Sequence, residues 1–117
     1  MLPSQIARER QLAYCQQLLT GLREGLTERG ITSVLVVSED GRPALDVTDS
    51  RSRSRRIFVH LTFYWFYWGD RPDERVSFLR AEVAADRVAQ AARHGWHQDE
   101  QGELGIDLSK ITDVYRS

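Results

Sequence analysis

The sequence predicts an α+β fold in which two long helices pack on one face of an antiparallel sheet of three to five strands, in α-β-β-β-α-β-β-α order. Two segments carry apolar residues at helical spacing, and between them lie short runs rich in β-branched and aromatic residues. The connections between these runs are too short for crossover helices, which requires antiparallel pairing. Because 117 residues support one hydrophobic core, we expect a single domain over residues 1–117.

Residues 5–29 are predicted to form the first helix, and Gly30 follows in the position that ends many helices. One apolar stripe runs along this helix at alternating spacings of four and three residues: Leu12, Cys15, Leu19, Leu22 and Leu26. Gly21 and Gly25 lie inside the helix, at a cost of about 1 kcal/mol each relative to alanine. We interpret both glycines as tolerated weak positions rather than as points of close contact with a neighbouring element.

The first two strands follow the helix as a predicted hairpin. Residues 31–38 are mostly apolar and β-branched, which indicates a strand. Asp40 and Gly41 supply a strong hairpin signal, and residues 44–48 alternate apolar and polar side chains as a strand with one solvated face does. The polar residues 49–56 connect this hairpin to the next strand.

Residues 57–69 are the most apolar and aromatic stretch of the chain, which predicts one long central strand with a bend part-way. Its odd positions form an apolar face for the core. Its even positions are aromatic and amphipathic, as interfaces often are, and supply the predicted binding or interface residues: Phe58, His60, Tyr64, Phe66 and Trp68. The alternative is that other parts of the same chain cover this second face.

Residues 79–94 are predicted to form the second helix, with an alanine-rich inner stripe that suits close packing against large aromatic rings. Gly95 ends it. Residues 76–78 either add a short strand or lead into this helix. Residues 98–102 are typical of a turn between two short strands, and Ser109 is a candidate cap for a final short helix.

Composition excludes several classes of function. The net charge of -1 argues against a domain-wide surface for nucleic acid, and no apolar run is long enough to span a membrane. The single cysteine, Cys15, excludes an internal disulfide and fits a reducing compartment, so we expect a cytoplasmic protein.

No motif in the sequence indicates catalysis. His94 and His97 supply too few ligands for a metal site, and Cys15 lies on the apolar stripe of the first helix. We therefore expect no catalytic residue, no metal and no cofactor, and we interpret the protein as not an enzyme. His60 is expected to be a buried neutral histidine that bonds to a hydroxyl or a backbone group.

A candidate basic patch precedes the aromatic stretch, with four residues: Arg51, Arg53, Arg55 and Arg56. Together with the rings of Tyr64, Phe66 and Trp68, these charges would suit single-stranded nucleic acid. A short arginine–serine loop in a nearly neutral protein is more typical of a solvated connection, so we disfavour nucleic acid as a partner.

Three short sequence segments of this chain resemble a group of small, uncharacterised actinobacterial proteins. They are Leu-Arg-Glu-Gly-Leu-Thr-Glu-Arg-Gly-Ile at residues 22–31, Tyr-Trp-Gly at 67–69 and Ala-Ala-Arg at 91–93. That resemblance implies no function. The order of elements is similar to that of type III secretion chaperones and related dimeric folds, which implies a dimer that holds an extended partner segment.

These observations predict a non-enzymatic protein-interaction or chaperone-like module that self-associates, as a homodimer, through the aromatic strand. A different protein is the other partner that we consider. The alternative function is a small-molecule or single-stranded nucleic-acid binding module that uses the same aromatic face, and an enzyme is the third.

Overall fold

The computed structural model describes the backbone of residues 3–97 and the side chains of residues 5–97. Helix α1 spans Pro3–Glu28 and α2 spans Ala81–His94. Between them lie five strands: β1 Ser33–Val37, β2 Pro43–Thr48, β3 Ser54–His60, β4 Trp65–Tyr67 and β5 Arg75–Ser77, with a short 3-10 turn at Pro72–Glu74. The predicted α+β class is confirmed, because both helices pack against an antiparallel sheet.

The sheet is a meander in the order β1-β2-β3-β4-β5, and each strand pairs antiparallel with the next. The first half of β3 pairs with β2, and its second half pairs with β4. The short strand considered at residues 76–78 is present as β5. The hairpin and the final helix predicted for the C-terminal part lie outside the described residues.

The core lies between the two helices and one face of the sheet, which we call the inner face. The buried residues of this cluster come from both helices and from four strands or their ends, and include Leu19, Leu22, Leu26, Leu45, Val47, Ile57, Phe66, Trp68, Ala84, Val88 and Ala92. Leu12 and Cys15, the first residues of the predicted stripe, are only half-buried. The first turns of α1 therefore contribute little to this core.

The end of α1 follows its prediction closely. Gly30 adopts a positive φ of 78°, a conformation that glycine reaches without steric cost. The N–H of Ile31 bonds to the carbonyl oxygen of Leu26 at 2.9 Å, and the N–H of Gly30 bonds to that of Thr27 at 3.0 Å. These two bonds satisfy the last carbonyls of the helix, and Ile31 packs against the core next to them.

The prediction of one long aromatic strand at residues 57–69 is wrong. The chain turns at residues 61–64, so that β3 ends at His60 and β4 begins at Trp65. Because Val59 pairs with Phe66 across this hairpin, odd and even positions exchange faces at the turn. No glycine, proline, asparagine or aspartate marks the turn in the sequence, which is why the residue pattern did not indicate it.

The interpretation of Gly25 as a tolerated weak position is also wrong. A Cβ atom at Gly25 would lie 2.7 Å from the Cβ of Ala85 in α2, which is closer than two non-bonded carbon atoms can approach. Gly25 is therefore the point at which α1 and α2 make close contact. At Gly21, in contrast, a Cβ would meet no atom of residues 3–97 within 4 Å.

Candidate interaction surface

The five predicted interface residues do not share one face. Phe66 and Trp68 are buried in the core, beneath the helices. Phe58 and His60 lie on the opposite face of the sheet, which we call the outer face, and Tyr64 is exposed in the turn. The prediction of a single aromatic face fails because the turn at residues 61–64 exchanges the faces. Phe66 and Trp68 cannot contribute to a surface in this fold.

The outer face has a small buried cluster of its own, made by Phe58, Tyr67 and Ala44. The rings of Phe58 and Tyr67 stack with centroids 5.9 Å apart. The guanidinium of Arg42 lies 4.4 Å from the centroid of the Phe58 ring and donates a hydrogen bond of 3.1 Å to the Tyr67 hydroxyl. Arg42 therefore covers part of these rings. This agrees with the alternative prediction, in which other parts of the same chain cover the second face.

His60 is a buried histidine bonded to a backbone group, as the sequence indicated. Its Nδ1 accepts the N–H of Phe63 at 3.2 Å, and the two rings stack at 4.6 Å between centroids. Burial lowers the pKa of His60 below its usual value, which favours the neutral ring. The same hydrogen bond holds the turn in place, because it ties the end of β3 to the third residue of the turn.

The four arginines of the candidate basic patch do not form one exposed surface. Arg55 and Glu74 form an ion pair of 2.8 Å, with side chains that are only 1% and 2% exposed. Arg53 pairs with Asp49 at 3.1 Å, and Arg56 pairs with Asp46 at 3.2 Å. Arg51 is exposed. Three of the four guanidinium groups are thus paired with carboxylates.

Asp49 organises the loop between β2 and β3, a role that the sequence did not indicate. Its carboxylate accepts the backbone N–H groups of Arg51, Arg53 and Trp96 at 2.8–2.9 Å. Burial alone raises the pKa of Asp49, but these hydrogen bonds and that from the Arg53 side chain outweigh it and hold the pKa below its usual value. Asp49 therefore ties this loop to the chain just after α2.

The Arg55–Glu74 pair lies in a cleft of about 420 Å³ that His94 and His97 also line. Arg55 donates to Glu74 and, through its other terminal nitrogen, to the carbonyl oxygen of His97 at 2.7 Å. Within residues 5–97, no three His, Cys, Asp or Glu side chains come close enough together to hold a metal ion. The geometry of this cleft is that of a buried structural ion pair.

Strand β1 is an open edge of the sheet, a feature that the sequence analysis missed. The bonds from Thr48 N–H to Thr32 O and from Ser38 N–H to Arg42 O direct the even-numbered residues of β1 toward β2. The backbone N–H and C=O groups of Ser33, Leu35 and Val37 therefore point away from the sheet. No described residue forms a backbone hydrogen bond with them.

This edge lacks the features that normally prevent two sheets from pairing. Its five residues include neither a charge nor a proline, and Val34 and Val37 are 57% and 70% exposed. The opposite edge, β5, has only three residues and carries Arg75, whose guanidinium lies 4.1 Å from the ring centroid of Trp65. The two edges of the described sheet thus differ in length, charge and apolar character.

Helix α1 runs beside the open edge and forms the second wall of a groove. The groove has a volume of about 520 Å³ and is lined by Leu12, Ala13 and Gln16 from α1 and by Leu35, Val37 and Pro43 from the sheet. Farther along the same flank, a shallow depression on α1 includes Gln17, Thr20 and Gly21. We call the β1 edge together with this flank of α1 the β1 surface.

A second exposed apolar patch surrounds Phe78 at the other side of the sheet. The rings of Tyr14 and Tyr64 meet Phe78 edge-on, at 6.3 and 5.8 Å between centroids, and Leu79 is 67% exposed beside them. Tyr64 holds a left-handed backbone conformation with φ of 59°. Of the predicted interface residues, Tyr64 is therefore the exposed one.

The chain matches no protein-family model, no curated protein and no solved structure. The resemblances to actinobacterial proteins and to secretion chaperones stay predictions. Within residues 3–97, neither helix is long and apolar enough to cross a membrane.

Proposed function

We propose that this protein is a non-enzymatic interaction module that forms a homodimer by pairing β1 with β1 of a second copy. The observation that carries the proposal is the β1 edge, whose outward backbone groups and exposed valines have no partner among the described residues. Unpaired strand edges of this kind are templates for strand addition. The proposed location in the cytoplasm rests on the single cysteine of the sequence.

The edge is self-complementary in an antiparallel register centred on Leu35. A two-fold axis at this residue places Leu35 opposite the partner's Leu35 and Ser33 opposite the partner's Val37. On the outer face it places Val34 opposite the partner's Val36. All pairs across the junction are apolar or neutral, so no like charges oppose the pairing.

The position of α1 adds a second contact to the same dimer. Helix α1 lies over β1 and β2. Paired strands lie about 4.8 Å apart, so the two-fold axis of the dimer lies just outside β1. The axes of the two α1 helices would then be separated by roughly 10 Å, which is a normal distance for packed helices. Gly21 lies on this flank of α1, and a Cβ there would meet no described residue within 4 Å. A close approach of the partner's α1 would account for a glycine at this position.

This proposal moves the interface from the aromatic strand to β1. The sequence predicts the aromatic strand as the interface because its even positions need cover, but Phe66 and Trp68 are in the core. The exposed apolar side chains that support the proposal are instead those of Val34 and Val37 at the β1 edge of the sheet. A chaperone-like role would use the same edge for an extended segment of a different protein.

The variant Val37→Pro tests the proposal. The Val37 N–H points away from β2, so proline removes a donor that the dimer needs without removing a bond between β1 and β2. We expect sedimentation equilibrium to give a dimer for the wild-type chain and a monomer for Val37→Pro. The matched variant Val37→Thr keeps the N–H group and should remain dimeric.

A lysine at an exposed valine of α2, Val83→Lys, serves as the control for added surface charge. It should leave the dimer intact, whereas Val34→Lys should weaken it because the charge lies on the paired edge. A wild-type chain that is monomeric at several hundred micromolar would contradict self-association. The β1 edge would then be left to an extended segment of another protein.

A further inference from the structure

A separate cleft lies where the first half of α1 passes the neighbouring ends of β2 and β3. Its volume is about 290 Å³, and it is distinct from the outward edge of β1. Leu12 and Cys15 of α1 line it on the helix side of the sheet, and Phe58 lines it on the outer face, so the cleft passes around the end of β2. Leu61 of the β3 hairpin adds a further apolar wall. This size and composition are near the lower end of the range for sites that bind small molecules.

One guanidinium in this cleft is held in a fixed position before any ligand arrives. Arg42 donates through Nε to the Asp40 carboxylate at 2.7 Å and through Nη1 to the Tyr67 hydroxyl at 3.1 Å, while its Cζ lies 4.4 Å from the centroid of the Phe58 ring. No residue among 5–97 accepts a hydrogen bond from Nη2 of Arg42. The guanidinium is thus oriented, and one of its nitrogens keeps its donors for a ligand.

The charges that line the cleft leave a small positive excess. Arg8 and Arg42 carry two positive charges, and Asp40 carries one negative charge, which leaves a formal net charge of +1. His60 also lines the cleft, but its Nδ1 accepts the Phe63 N–H and its pKa is lowered by burial, so it adds no charge near neutral pH. A singly charged anion matches this balance better than a polyphosphate, which would need several cations.

We propose that this cleft binds a small monocarboxylic acid with an apolar body. The carboxylate would accept hydrogen bonds from Nη2 of Arg42, whose planar guanidinium matches carboxylate geometry. The apolar body would lie between Leu12 and Cys15 on one side and Leu61 on the other. The cleft shares Leu12 and Pro43 with the groove beside β1, but Arg42, Phe58 and Leu61 lie outside that groove. The tests of the two proposals therefore use different residues.

Binding of octanoate and 1-octanol, measured by calorimetry on the full chain, tests this site, because the two probes share an apolar body and differ in charge. We expect octanoate to bind about tenfold or more tightly than octanol. The variant Arg42→Met should reduce octanoate affinity to the level of octanol and leave octanol affinity within about twofold. The matched variant Arg56→Met removes an arginine paired with Asp46 outside this cleft and should change neither affinity.

Cys15 reports directly on where the probe binds, because it lines the cleft and is the single cysteine of the chain. Octanoate should slow the alkylation of Cys15 by iodoacetamide in proportion to its binding. Should Arg42→Met fail to fold, Leu61→Glu places a carboxylate in the same wall and should likewise abolish octanoate binding. Equal affinity for the two probes, no octanoate binding at millimolar concentration, or unprotected Cys15 would each overturn the proposal.

Discussion

Gly21 and Gly25 lie about one turn apart in α1, but their surroundings differ. Gly25 faces Ala85, and even a methyl group there would push the two helices apart. At Gly21 a Cβ would meet none of the residues that the structure describes within 4 Å, and Gly21 lies on the flank that we assign to the dimer. The same residue type therefore serves close helix packing at one position and, in our proposal, association at the other.

Alanine substitutions at these two glycines should have opposite effects on the folding of the monomer. Gly21→Ala should stabilise it by about 0.5–1 kcal/mol through helix propensity. Gly25→Ala should destabilise it by about 1–2 kcal/mol, because overpacking against Ala85 outweighs the same gain. Urea unfolding of both variants in a Val37→Pro background measures this without a contribution from association. Equal effects of the two substitutions would show that the helices adjust to a side chain at Gly25.

The loop between β2 and β3 shows how one element fixes the position of another. Asp49 accepts N–H groups from its own loop and from Trp96, and the Trp96 indole N–H donates to the carbonyl oxygens of Val47 and Arg53 at 3.2 and 3.1 Å. The end of α2 is thereby joined to the start of β3. Backbone donors that are buried next to a carboxylate are costly to leave without it.

Asp49→Asn should therefore destabilise the fold by roughly 1–3 kcal/mol at pH 7. The folded-state pKa of Asp49 lies below its usual value, so its stabilising contribution is present above the unfolded pKa of about 3.9 and is lost as the pH falls through the folded value. The difference between wild type and variant should be constant from pH 7 to about pH 5 and should narrow below about pH 4. Urea unfolding at several pH values checks this, and a difference that widens in acid would contradict it.

At the scale of the whole molecule, the Arg55–Glu74 pair joins three separate parts of the chain. Arg55 lies in β3, Glu74 belongs to the short 3-10 turn before β5, and the carbonyl oxygen of His97 follows α2. The Glu74 carboxyl group also occupies the space beside Gly69, where an added Cβ would overlap it. Loss of either side chain would take a direct ion-pair partner from a side chain that is almost fully buried.

Removal of one partner should consequently cost more than removal of both. Glu74→Leu or Arg55→Met should each destabilise the fold by about 3–5 kcal/mol, because the buried side chain that remains loses its 2.8 Å ion-pair partner. The double variant Arg55→Met with Glu74→Leu should recover much of that loss, since apolar residues of similar size fill the site. Chemical unfolding of the three variants forms a double-mutant cycle, and additive losses would show that the two side chains are not coupled.

The asymmetry between the two edges of the sheet is the other property of the whole molecule. Edge β5 is short and charged, while β1 is longer, apolar and open. The pattern of residues in a strand indicates that a strand forms, but it does not indicate the strand's position in the sheet. That position decides whether the backbone groups on both sides of the strand are paired. This is why the interface was expected at the aromatic strand and is proposed at β1.

The sequence by itself determined the α+β class, the two helices, the first hairpin and the glycine that ends α1. These features depend on residue spacing within a few positions, on turn residues such as Asp40 and Gly41, and on the missing Cβ of Gly30. Only the tertiary structure decided which aromatic residues are buried, because the turn at residues 61–64 is held by the His60–Phe63 hydrogen bond and by the bond from Phe78 N–H to Tyr64 O rather than by turn-forming residues. The partners of Arg53, Arg55 and Arg56 and the open edge of β1 were likewise fixed by contacts and strand order that no local spacing encodes.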